Sequence, residues 1–91
     1  MIDKVKALIS ENPSYGAVIK IVRDNPYAER KDAFKDADID SSELDGLLAR
    51  LEEEMIVLPL TSMAASNIES RVSRKVYLLN PELDAGIDAL L

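Results

Sequence analysis

The chain has 91 residues, 47% hydrophobic and 31% charged, a size and balance that fit one small globular domain with a modest core. It has no cysteine and no histidine, so disulfides, thiolate metal sites and the commonest general base and metal ligand are excluded. A formal net charge of -6 favours solubility and opposes nonspecific attraction to DNA or to an anionic membrane.

No apolar run approaches the roughly 20 residues of a membrane span. The start, Met1-Ile2-Asp3-Lys4, lacks the basic and apolar regions of a secretion signal. A cytoplasmic location is the default expectation. No internal repeat and no low-complexity stretch divides the chain, so residues 1–91 read as one domain. Asn12-Pro13, Asn25-Pro26 and Asn80-Pro81 each pair a capping side chain with a residue suited to the first helical position, and mark element boundaries.

Ile2, Val5, Leu8 and Ile9 recur near helical spacing and predict a helix over 2–11. Tyr15, Val18, Ile19 and Val22 follow the i, i+3, i+4, i+7 pattern and predict a second over about 14–24. Residues 27–37 are mostly polar and read as a short helix anchored by Phe34. Residues 40–55 carry the strongest signal. Asp40 caps, Glu43 completes a capping box, and Leu44, Leu47, Leu48, Leu51 and Met55 line one face. Ile56-Val57-Leu58 and Val76-Tyr77-Leu78-Leu79 read as short strands, with Pro59 suited to an edge or a strand end. The span from Thr61 to Arg74 reads as a long hairpin loop. Asn80-Pro81 opens a last helix with Leu83, Ile87, Leu90 and Leu91 on one side. Two strands alone cannot close a core, so the hairpin must pack on the helices. The fold class expected is mainly α with a small β-hairpin.

The run Asp38-Ile39-Asp40-Ser41-Ser42-Glu43-Leu44-Asp45-Gly46-Leu47-Leu48-Ala49-Arg50-Leu51-Glu52-Glu53-Glu54-Met55-Ile56-Val57 resembles the turn, recognition helix and first strand of winged-helix regulators of the arsenic-repressor and multiple-antibiotic-resistance-repressor families. Arg74-Lys75-Val76-Tyr77-Leu78-Leu79-Asn80-Pro81 resembles their returning wing strand. The resemblance covers about residues 14–82 and implies a winged helix-turn-helix. Its parts would be a three-helix core, a two-stranded wing and extra N- and C-terminal helices. It departs from the pattern in two places: Met55 stands where a glycine usually joins helix to strand, and the inter-strand loop exceeds a tight wing. One fold carries many functions, so the resemblance bears on architecture more than on activity.

For function the resemblance implies a DNA-binding, transcription-regulator-like module, with no cofactor, no metal and no catalytic group. The candidate nucleic-acid contacts are Ser41, Ser42, Gly46, Ala49 and Arg50 on the recognition helix and Arg71, Arg74 and Lys75 on the wing. Small residues permit close approach, and Arg50 suits guanine. The charge pattern opposes this. From Asp40 to Glu54 six acids face Arg50 alone, and such a helix repels phosphate. The loop and returning strand set three cations against Glu69, which fits a wing on the DNA backbone or a merely solvated hairpin. The rival reading is a protein-interaction winged helix whose acidic helix meets a basic partner. Arg30, Lys31 and Lys35 form a further basic patch that Glu29, Asp32 and Asp36 offset. Asp36, Asp38 and Asp40 alternate like the start of a calcium loop. Ser41 and Leu47 occupy its glycine and glutamate positions, so a capped turn explains them better. The C-terminal leucine stripe either covers the domain's own core or pairs two chains as a homodimer. No nucleophile–base pair and no glycine-rich phosphate loop is present, so no enzyme is expected.

Overall fold

The computed structural model describes residues 2–63 and 73–91. The described residues form four α-helices, α1 (Ile2–Glu11), α2 (Ser14–Asp24), the single turn α3 (Arg30–Ala33) and α4 (Ser41–Glu53), with a first short strand between α2 and α3. Three strands complete the core, β1 (Ala28–Glu29), β2 (Val57–Met63) and β3 (Ser73–Leu79). They form one antiparallel sheet in the order β1-β3-β2. The molecule is therefore mainly helical with a small sheet, and the sheet has three strands where the sequence predicts two.

The helix starts follow the asparagine–proline pairs in part. The Asn12 side-chain oxygen accepts the Ser14 N–H at 3.0 Å, and that of Asn80 accepts the Glu82 N–H at 3.1 Å. Asn25-Pro26 does something else. Asn25 ends α2, and the next residues form a turn closed by the Ala28 N–H on the Asn25 carbonyl at 3.3 Å. Tyr27 then donates its N–H to the Tyr77 carbonyl at 3.0 Å, which delivers Ala28 and Glu29 to the edge of β3. The short helix expected over 27–37 is thus reduced to one turn, because its first residues are drawn into the sheet.

The hairpin strands are longer than their apolar centres. Val57 pairs with Leu79 and the ladder continues to Met63 opposite Ser73. The long loop expected over 61–74 gives up both its ends to the sheet, and its remainder lies outside the described residues. Polar ends join the ladder because backbone pairing does not require apolar side chains on a solvated face. Pro59 sits on β2, an edge strand, where its missing N–H costs no ladder bond toward a further strand.

The core gathers Val5, Leu8, Val18, Ile19, Val22, Phe34, the four leucines of α4, Ile56, Val57, Tyr77, Leu79, Leu83 and Ile87. The last helix is absent. In its place are two 3-10 turns, Pro81–Leu83 and Ile87–Ala89. Leu83 and Ile87 are fully buried in the chain's own core, while Leu90 is half-buried and Leu91 exposed. A stripe of four apolar residues expected on one helix is therefore split, and its first half closes the bottom of the domain.

Candidate functional site

The outer face of α4 is set by its leucines. At about 100° per residue, burying Leu44, Leu47, Leu48 and Leu51 turns Ser42, Gly46, Ala49 and Glu53 outward. Asp45, Arg50 and Glu43 flank this strip, and all seven are exposed. A Cβ on Gly46 would meet no atom within 4 Å, so the centre of the strip is open space.

The two serines at the start of α4 are used internally. Asp40 caps the helix by accepting the Ser42 N–H at 3.2 Å, and it also accepts the Ser42 hydroxyl. These bonds hold the Asp40 carboxyl below its ordinary value, the Ser42 hydroxyl contributing most. Glu43 does not close a capping box; the described hydrogen bonds give it no backbone partner at Asp40. Arg30 reaches across from α3, donating to the Ser41 carbonyl at 3.0 Å and to its hydroxyl at 3.3 Å, and pairing with Asp45.

Two of the expected cations, Arg50 and Lys75, are also engaged. Arg50 lies 3.6 Å from Glu54 one turn along α4. Glu54 is taken a second time by Lys4 of α1, and that bond lowers its pKa from the ordinary value. Lys75 of β3 stands 2.8 Å from Glu52 and 5.4 Å from the centre of the Tyr77 ring. Its pKa is raised, chiefly by Glu52. Lys75 therefore ties β3 to the end of α4. Arg74 belongs to β3 by its backbone, and Arg71 lies outside the described residues. Within α4 and its cap, three acids are neutralised from other elements. Among the described residues Glu43 and Glu53 keep no cation. Composition alone could not reveal this, because Lys4, Arg30 and Lys75 come from distant stretches of chain.

A second feature is the basic patch of α3 and the residues after it. Arg30, Lys31 and Lys35 converge on one cleft of about 260 Å³ between α3 and α4, floored by Phe34, Ile39 and Leu44. Of the acids expected to offset them, Asp32 and Asp36 do not line it. Near the opposite end of the sheet, Tyr27, Pro26 and Arg23 border another cleft with Leu78, Leu79 and Pro81. Among the described residues no group of three or more acids is placed to hold a metal ion, and no described helix is long and apolar enough to cross a membrane. No protein-family model matches the chain, and comparison with curated proteins and with solved structures returns no match.

Proposed function

We propose that the chain is a winged helix-turn-helix domain acting as a protein-interaction module, with the outer face of α4 presented to a basic surface of a partner protein. Three features support the winged-helix reading: the element order, the pairing of a short early strand with β3, and the packing of α4 against α2 and β2. The observation that carries the interaction reading is the state of the charges. The described cations on and beside α4 (Arg30, Arg50 and Lys75) are paired with Asp45, Glu54 and Glu52, while Glu43 and Glu53, exposed at the outer face, have no ion pair among the described residues. A groove-facing helix with its cations spent and its acids free repels phosphate and attracts ammonium and guanidinium groups.

The test is fluorescence anisotropy at low salt with two labelled probes, a lysine- and arginine-rich peptide and a generic DNA duplex. The peptide is expected to bind. Glu43→Gln and Glu53→Gln should each weaken it roughly 2–5-fold, the scale of one exposed ion pair. DNA binding at micromolar protein, lowered by Arg50→Ala and tightened by the two glutamines, would replace this reading with the DNA-binding one.

A further inference from the structure

The cleft between α3 and α4 combines an apolar floor with three cations. Its floor is apolar: Phe34 and Leu44 are buried and Ile39 half-buried. Its rim is cationic, with Arg30, Lys31 and Lys35 all lining it. Arg30 is fixed by Asp45 and Ser41 and forms the wall shared with α4. Lys31 is only loosely held, 3.8 Å from Glu29, with its side chain 80% exposed. Lys35 is exposed and has no ion pair among the described residues. Lys31 and Lys35 stand four residues apart beside one helical turn, a spacing at which like charges repel. Among the described residues the one ion pair that offsets it is the long contact of Lys31 with Glu29, and an incoming anion would relieve it further.

We propose that this cleft is a second binding site, which takes an acidic peptide segment of a partner protein, seating an apolar side chain on Phe34, Ile39 and Leu44 with carboxylates against Lys31 and Lys35. Charge complementarity selects the sign of the occupant, and the floor selects its class. A nucleic-acid backbone offers phosphates but no aliphatic group to cover three apolar side chains, whereas a leucine flanked by glutamates matches both parts. The α4 N-terminus adds little here, since Asp40 already caps it. The site is separate from the acidic outer face of α4 and has the opposite sign, so the two surfaces would hold different partner segments.

The experiment uses the full chain and a fluorescein-labelled peptide of alternating glutamate and leucine, read by anisotropy at low salt. Binding is expected, with Lys31→Glu and Lys35→Glu together weakening it roughly tenfold or more. The exposed Lys20→Glu on α2 serves as the control and should leave it nearly unchanged. An all-glutamate peptide should bind more weakly than the glutamate–leucine one, because it leaves the floor uncovered. Equal loss with Lys20→Glu, no difference between the two peptides, or no binding at all would each overturn the site. So would a labelled duplex that binds through Lys31 and Lys35 in preference to the peptide. Failure of the basic-peptide test on α4 leaves this result readable, because Glu43 and Glu53 do not line the cleft.

Discussion

Two residues hold backbone conformations that side chains rarely adopt, and both sit where the chain changes element. Met55 has φ of 60° at the junction of α4 and β2. The Ile56 N–H reaches the Leu51 carbonyl at 2.9 Å and the Met55 N–H reaches Glu52 at 3.0 Å, the two bonds of a Schellman ending. The missing glycine noted in the sequence is thus a real departure: the geometry that favours glycine is present and methionine occupies it, the residue being 59% exposed. Left-handed backbone costs a non-glycine residue about 1–2 kcal/mol, against about 0.5–1 kcal/mol of extra chain entropy that a glycine loses. Met55→Gly should therefore raise stability by about 0.5–1 kcal/mol in urea unfolding, and a loss of stability would show that the side chain holds the junction. Tyr27, also at φ 60°, occupies the third position of the Asn25–Ala28 turn, where glycine or asparagine is usual. Asn80 is a buried polar residue at the other side of the Met55 junction. Its side chain donates to the Met55 carbonyl at 2.8 Å and accepts from Glu82, and its N–H donates to the Ile56 carbonyl at 3.0 Å. Asn80→Ala strands the Met55 and Glu82 backbone groups and should cost about 1–3 kcal/mol; a cost below about 0.5 kcal/mol would mean that water replaces both bonds.

At the scale of elements, α4 was readable from its sequence because one periodic stripe, one cap and one side of solvent all agree. Leu48, 3% exposed on its inner face, should cost about 2–5 kcal/mol when cut to alanine. A melt unchanged from the parent would contradict that burial. Gly46, on the outer face, should do the opposite. A helix-interior glycine is about 0.5–1 kcal/mol worse than alanine, and here the added methyl meets open space. Gly46→Ala should stabilise the fold by that amount. If a partner approaches closely there, the same change should weaken peptide binding. A stabilised variant that binds as before would place the contact on the glutamates alone. The elements that the sequence concealed share a physical cause: they are held by partners remote in the chain. Ala28 and Glu29 carry no strand pattern and become a strand because β3 offers them an edge. The last residues keep a helical apolar spacing, yet they close the core in two tight turns. The site divides the same way. The outward strip of Ser42, Gly46, Ala49 and Glu53 followed from periodicity, but which charges are free depended on Lys4, Arg30 and Lys75 arriving from elsewhere.

At the scale of the whole molecule, three of the described ion pairs that join elements converge on α4: Lys4 from α1, Arg30 from α3 and Lys75 from β3. The pairs are partly exposed, so each contributes little and is weakened further by salt. Their titration nevertheless gives the fold a defined pH profile. Asp40 and Glu54 have pKa values lowered from 3.8 and 4.5. A lowered carboxyl favours the folded state above its unfolded pKa, and that contribution disappears as the pH falls through the lower folded value. Lys75 has its pKa raised from 10.5 by Glu52, and a raised ammonium favours the folded state below its unfolded pKa. That contribution disappears as the pH climbs through the higher folded value. The melting temperature followed by circular dichroism should therefore be flat between the two limbs. It should fall on the acid side below the ordinary carboxylate values and on the alkaline side above the ordinary lysine value. Substitution separates the limbs. Lys4→Met should shrink the acid limb by removing the partner that lowers Glu54, while Glu52→Gln should shrink the alkaline limb and leave the acid one in place. An acid limb unaltered by Lys4→Met would show that the α1–α4 pair does not stabilise the fold. An alkaline limb unaltered by Glu52→Gln would release Lys75 from α4, and a free Lys75 beside the outer face would revive a phosphate-contacting wing.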